Sequence, residues 1–275
     1  MNGPCLITGA KGLLGSEFAT AVRDRPVHAM GKDALDVTDK EAIWRTFESV
    51  QPRIVFHTAA YTQVDAAESH RDNAHRLNAE SVKHLAGACR EYNAKLVHFS
   101  TDQVFDGKKP VPYVETDTPS PSNYYAQTKL ESEAYALELP DALVLRVQWL
   151  YGAARPRFTH LGKKTSFTAI CDQIGAPTWS RDVVRLAFQL VERNKHGLFH
   201  LSYDDHASWL EVFQYVKDLK GYSVNLQSVS TQELRLPAGR PLNAVLSNLK
   251  LKESLGLTTV GSWKTSLREF LTGLP

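Results

Sequence analysis

The sequence predicts an α/β fold: a doubly wound parallel sheet with a small C-terminal lobe. Three observations carry this expectation. Over residues 1–151, short apolar runs alternate with longer stretches of helical periodicity. The runs are apolar almost throughout (Leu-Val-Leu-Arg-Val, Ile-Val-Phe), as strands covered on both faces should be. A glycine-rich turn joins the first run to the first helical stretch.

The elements follow in order. Residues 4–8 form a strand and 12–23 a helix. Residues 27–30 form a second strand. Residues 39–50 have apolar side chains at helical spacing, with Thr38 or Asp39 able to cap them. Residues 53–57 are a third strand, and a helix of about 20 residues runs up to Tyr92. Residues 95–100, a helix over 123–138 and a strand over 142–147 continue the alternation. After Gly152 the rhythm breaks. Residues 153–180 are mixed and loop-rich, 197–201 give one more strand, and 207–219 and 262–272 are amphipathic helices.

Gly9-x-x-Gly12-x-x-Gly15 lies where the first strand meets the first helix. Glycine lets such a turn tighten and lets backbone amides approach a pyrophosphate at the helix N-terminus. The pattern therefore points to a bound dinucleotide. Residues 1–151, with about 177–202, are expected to form the dinucleotide-binding unit, and 152–176 with 203–275 the substrate lobe. An NAD site usually ends its second strand with a carboxylate for the ribose 2′-hydroxyl. Here that strand ends Ala29-Met30-Gly31-Lys32, and Lys11 sits inside the glycine turn. Two cations and no acid before Asp33 predict NADPH, with NADH as the alternative. Asp36 and Val37 open the next loop and could meet the adenine; Asp36 could equally be a turn residue flanking the helix.

Tyr125 and Lys129 are four apart on a helix and so share a face. A ketone that accepts hydride needs a proton on its oxygen. A tyrosine can supply one, and a nearby ammonium lowers its reference pKa of about 10. The same lysine can bond a ribose, and Thr101, at the end of the fourth strand, can add a hydroxyl to the same carbonyl.

The bulk numbers exclude other classes. With 32 basic and 30 acidic residues the net charge is +2, so no electrostatic case exists for nucleic acid or an anionic membrane. The N-terminal residues lack a secretory pattern, and no stretch approaches the roughly 18 apolar residues of a membrane span. The three cysteines are far apart, which predicts reduced, structural thiols and a cytoplasmic protein. No Cys-x-x-Cys spacing exists, so no metal site is expected. His57 and His98 fall on strands and read as satisfied core residues.

These segments resemble the extended short-chain dehydrogenase/reductases, a Rossmann-type group, and within it the dTDP-4-dehydrorhamnose reductase family. The resemblance is carried by Leu-Ile-Thr-Gly-Ala-Lys-Gly-Leu-Leu-Gly (6–15), Leu-Asp-Val-Thr-Asp (35–39) and Thr-Ala-Ala-Tyr-Thr-Gln-Val-Asp-Ala-Ala-Glu (58–68). It extends through Leu-Asn-Ala (77–79), Val-His-Phe-Ser-Thr-Asp-Gln-Val-Phe-Asp-Gly (97–107) and Tyr-Ala-Gln-Thr-Lys-Leu (125–130). Asp-Gln-Ile-Gly-Ala-Pro-Thr (172–178) and Gly-Arg-Pro-Leu-Asn-Ala-Val-Leu (239–246) complete it.

The resemblance implies NADPH-dependent reduction of the 4-keto group of a nucleotide-linked 6-deoxysugar by a monomer or homodimer. It implies Thr101, Tyr125 and Lys129 as the catalytic set. The cofactor contacts would be the three glycines, Lys11, Leu13, Leu14, Lys32, Asp36, Val37, Ala59, Ala60, Tyr61 and Asn78, with Tyr125 and Lys129. Asn78 would be structural or a proton relay. Asp102, Gln103, Gln148, Trp149 and Arg240 would face the substrate, Arg240 at its phosphates. Gln103 stands where the family usually has tyrosine. The stretch between Gly152 and Asp172 is shorter than usual and holds Arg155 and Arg157 in place of a familiar Asn-Phe helix start. Two alternatives follow: a reductase of a different keto sugar or small ketone, or a non-catalytic dinucleotide-binding subunit like the β subunit of methionine adenosyltransferase.

Overall fold

Side-chain alternation along the strands builds two hydrophobic layers, one on each face of a single sheet. The computed structural model describes residues 3–23, 25–155 and 157–273. β1 (Cys5–Thr8), α1 (Leu13–Ala21), β2 (Val27–Met30), α2 (Lys40–Val50) and β3 (Ile54–His57) come first. All six strands of the central sheet are parallel, in the order β2-β1-β3-β4-β5-β10, where β4 is Lys95–Thr101, β5 Leu143–Val147 and β10 Gly197–Leu201. Cys5, Ile7, Ile54, Phe56, Val97 and Phe99 point into one layer, while Leu6, Val55 and Leu96 point into the other. Phe18 of α1 stacks on Phe56 at 4.3 Å between centroids, which fixes the first helix over the sheet. The chain leaves β1 toward β2, then returns to β3 and works outward on the other side. Such a reversal opens a crevice at the carboxyl ends of β1 and β3.

The doubly wound parallel expectation agrees with this sheet. Asp39 is the cap of α2, accepting from Ala42 N at 3.0 Å. The long helix expected after β3 differs. It is divided into α3 (Val64–Ser69), α4 (Arg71–His75), a π-helical turn (Arg76–Glu80) and α5 (Ser81–Glu91). The π turn coincides with Asn78, whose amide is bonded to another part of the chain, so tertiary contacts override helical periodicity there.

α6 (Tyr124–Leu137) is capped by Asn123, whose Oδ1 accepts from Ala126 N at 2.8 Å. Beyond β5 come short pairs: β6 (Leu150–Tyr151) with β9 (Thr178–Trp179), β8 (Ile174–Gly175) with β11 (Ala207–Ser208), and β7 (Ser166–Ile170) with β12 (Asn225–Val229). The loop-rich reading of 153–180 missed β7, whose partner is distant in sequence. Beyond it, where no element was expected before residue 197, α7 (Ser180–Glu192) buries Val183, Val184, Leu186, Ala187, Leu190 and Val191 at helical spacing. α8 (Trp209–Lys220), α9 (Thr231–Leu234), α10 (Leu249–Leu255) and α11 (Trp263–Gly273) complete the chain. No described helix is long and apolar enough to cross a membrane. Cys5 and Cys89 are buried core residues, and burial pushes the Cys89 thiol well up.

Candidate active site

The glycine turn is dictated by sterics. Gly9 has φ +66°, and a Cβ there would lie 2.7 Å from the backbone of Ala59. A Cβ on Gly15 would lie 2.3 Å from the Gly9 carbonyl oxygen, so α1 can pack this close only with glycine. The turn opens on a cavity of about 1050 Å³. Gly9, Lys11, Gly12, Leu13 and Leu14 form one end of its wall, with Lys32, Asp36 and Val37. Ala59, Ala60 and Tyr61 continue it. Thr101, Asp102, Gln103, Tyr125, Gln148, Trp149 and Arg240 line the other end. Gly15, Asn78 and Lys129 lie outside the wall. Asn78 is buried: its Oδ1 accepts from Tyr61 N at 2.8 Å, and its Nδ2 donates to Tyr61 O at 3.1 Å and Thr128 Oγ1 at 3.0 Å. That is a structural clamp on the Tyr61 backbone.

Tyr125 and Thr101 stand together. Burial pushes the phenol up to about 12; the Thr101 hydroxyl beside it works the other way, and Asp102 adds to the rise. Thr101 Oγ1 donates to Asp102 Oδ1 at 3.0 Å and accepts from Gln103 N at 3.2 Å. Asp102 is buried, which pushes its carboxyl up to about 7.

The expectation that Lys129 lowers the Tyr125 pKa is corrected by this geometry. The Lys129 amine is turned into the sheet, 3.3 Å from His98 Nε2, and burial holds it down to about 7 against the pull of Glu133. His98 Nε2 also lies 2.8 Å from Ser132 Oγ, and the Ser132 hydroxyl bonds the Lys129 carbonyl at 2.6 Å. His57 is held at Nδ1 by Thr8 Oγ1 at 2.8 Å and stacks on His98 at 5.5 Å. Both rings are buried in the core, yet neither is fully satisfied: among the described residues His57 Nε2 and His98 Nδ1 have no hydrogen-bond partner. Burial keeps both imidazoles uncharged, and Lys129 reinforces this.

The charge argument at the other end also changes. Lys11 is ion-paired with Asp33, and both side chains are exposed. Lys11 therefore does not stand as an uncompensated cation. Arg76, absent from the sequence reading, lines the cavity with Lys32 instead. The Asp36 carboxyl is lowered first by hydrogen bonds from Thr38 and then by Lys32 and Arg76. Arg76 begins the π turn, and no sequence motif marks it.

At the far end, side chains shape the wall. Gln148 Oε1 accepts from Ala176 N at 2.5 Å, and its Nε2 donates to Ser202 Oγ at 3.3 Å. Trp149 has φ +44° and stacks on Trp209 at 4.0 Å and 14° between planes. A Cβ on Gly175 would lie 2.8 Å from both Trp149 and Gln148, so the Gln-Ile-Gly string makes room for them. Gln103 Oε1 accepts from Asn123 Nδ2 at 3.0 Å, tying it to the cap of the Tyr125 helix. Arg240 pairs with Asp65 at 2.9 Å while facing the cavity. Trp209, which the sequence reading also missed, would have needed its distant contact with Trp149 to be known. His196 and His200 have the four-residue spacing of helical metal ligands, but His196 precedes β10 and His200 lies within it, and extended backbone separates them by about 13 Å.

A family model described as the RmlD substrate binding domain matches residues 3–274. The chain belongs to the dTDP-4-dehydrorhamnose reductase family. It is 31% identical over 284 residues to the dTDP-4-dehydrorhamnose reductase of Aggregatibacter actinomycetemcomitans, covering 96% of each chain. It is 35% identical over 278 residues to a probable dTDP-4,6-dihydroxy-2-methyloxan-3-one 4-ketoreductase of Streptomyces antibioticus, covering 96% of this chain and 93% of that one. Among solved structures, the dTDP-4-dehydrorhamnose reductase of Bacillus anthracis in complex with NADP superposes with a TM-score of 0.95 at 31% identity over the full length of both chains. A UDP-glucose 4-epimerase of Thermus thermophilus, 20% identical with a TM-score of 0.82, shares the fold.

Proposed function

We propose that this protein uses NADPH to reduce the 4-keto group of a dTDP-linked 6-deoxysugar. The observation that carries the reading is Tyr125 beside Thr101 on the wall of the cavity opened by the glycine turn. The residues fit the cofactor. The Gly9 and Gly15 positions exclude any side chain, and the turn exposes the N-terminus of α1, which favours phosphates. Lys32 and Arg76 suit a 2′-phosphate. When bound, NADPH supplies the hydride that adds to C4.

The chain's own residues supply the rest. A phenol held up to about 12 stays protonated through the neutral range, so Tyr125 is an acid. Its proton passes to the C4 oxygen as negative charge gathers there. Thr101, fixed by Asp102 and the Gln103 amide, orients the carbonyl. Lys129, one helical turn from Tyr125, has its amine on His98 behind the wall, so it would serve the cofactor only by turning toward the cavity. Asp102, Gln103, Gln148 and Trp149 surround the sugar, and Arg240 faces its phosphates. The reading carries with it a cytoplasmic location and a monomer or homodimer.

The test is loss of NADPH absorbance with a panel of 4-keto dTDP-sugars. Turnover is expected, with a lower KM for NADPH than for NADH. No oxidation with any of them, while NADPH still binds, would overturn the reading in favour of a regulatory dinucleotide-binding subunit.

A further inference from the structure

The cavity wall is strongly cationic, and its cations are not equally compensated. Arg240 has Asp65. Arg155 and Arg157 also line the cavity, and among the described residues neither lies within ion-pair distance of a carboxylate. Arginines elsewhere that are held firmly have such partners: Arg146 with Glu133 at 2.6 Å and Arg181 with Glu269 at 2.8 Å. Arg157 is held differently. Its guanidinium carbon sits 4.9 Å from the centroid of the Trp209 ring, which is itself stacked on Trp149. Arg155 Nη1 reaches Thr62 Oγ1 at 3.4 Å. The Arg157 guanidinium is lowered first by the chain packed around it and then by Arg155, although both residues keep exposed surface. Arg157 on its aromatic platform and Arg155 near it repel each other with no counter-ion, and an anionic ligand between them would offset that repulsion.

We propose that Arg157, with Arg155 beside it, forms a diphosphate subsite for the sugar-nucleotide substrate, a proposal that rests on the functional reading above. A guanidinium fork matches phosphate oxygens two at a time, and two forks suit two linked phosphates. The platform assigns the subsite to substrate rather than cofactor. Trp209 opens α8, in the C-terminal part of the chain, while the cofactor's own pyrophosphate has the glycine turn and the α1 N-terminus. Both arginines lie in the segment after Gly152, outside the central sheet, where side chains and not the glycine turn meet the ligand.

The test titrates dTDP and, separately, NADPH into the full chain by calorimetry, for wild type, Arg157→Gln, Arg157→Lys and Arg155→Ala. Arg157→Gln keeps bulk over Trp209 and removes the charge. It is expected to weaken dTDP by about tenfold to a hundredfold, with the NADPH Kd unchanged. Arg157→Lys should recover only part of the loss, because an ammonium lacks the fork. Arg155→Ala should give a smaller loss in the same direction. The KM for the keto sugar nucleotide should rise with the dTDP Kd while kcat holds. Unchanged dTDP binding in Arg157→Gln, or a loss confined to NADPH, would overturn the subsite. Wild-type protein that binds dTDP yet reduces no keto sugar leaves the subsite standing and strikes only the reaction.

Discussion

Around the glycine turn the cavity is shaped by close backbone packing; around Trp149 it is shaped by stacked and paired side chains. At the first end Gly9 and Gly15 leave no room for a single methyl group, and Asn78 clamps the Tyr61 backbone from behind. At the second, Trp149 rests on Trp209, Arg157 on Trp209, and Gln103 on Asn123. A wall of backbone can serve one ligand shape. A wall of stacked and paired side chains can be rebuilt for another sugar without disturbing the sheet. Room for the cofactor at the turn is thus set by the backbone, while charge and shape elsewhere in the cavity rest on exchangeable side chains.

Tyr125, where the two ends meet, gives the largest expected effect. Tyr125→Phe removes the proton donor and should lower kcat by about two decades or more, with NADPH affinity retained. Near-normal turnover in that variant would remove the phenol from the chemistry. A smaller effect separates the two ends. Gly15→Ala forces a methyl group against the Gly9 carbonyl and should cost about 1–3 kcal/mol of stability together with NADPH affinity. Thermal unfolding and NADPH fluorescence read both; if neither moves, the backbone wall is softer than its geometry implies.

The smallest effect concerns the amine beneath the wall. An amine held down to about 7 is charged below that pH and neutral above it, so turnover that needs the ammonium falls as pH rises through about 7. The Ser132 hydroxyl gives its proton to the Lys129 carbonyl, so His98 Nε2 donates to Ser132 Oγ and faces the amine as a donor, which favours the neutral form. His98→Phe should move this limb up by about one pH unit, and His98→Gln, which restores a donor, should return it. His57, Glu133 and its partner Arg146 also face this amine and are unchanged in both variants. Asp102, which changes charge near the same pH, faces Tyr125, so the comparison is made in an Asp102→Asn background. A limb that stays in place in His98→Phe would make the imidazole a packing residue only.

Much of the first end is legible in the sequence because backbone sterics demand glycine at set intervals. Tyr125 and Lys129 are legible because helical spacing brings them to one face. What Lys129 meets there is not, since His98 comes from a strand and its pairing depends on the finished sheet. Arg76 and Trp209 escape for the same reason: no local spacing ties them to the cavity, and only the fold brings them there. The Lys11 charge misleads because its partner Asp33 lies across a turn whose path sterics alone do not fix. β7 and α7 differ instructively. The helix could be found from its own periodicity, whereas the strand exists because residues 225–229 pair with it.

The π-helical turn at Arg76–Glu80 acts as a phase shifter. An α-helix advances by about 100° per residue, so one extra residue rotates everything beyond it by that angle. Val82, Leu85, Ala86 and Cys89 of α5 reach the core only at the present setting. Deleting one residue from the turn would preserve the composition of both flanking helices and still swing that apolar stripe toward water. The strand-to-strand crossover thus tolerates changes of residue type far better than changes of length.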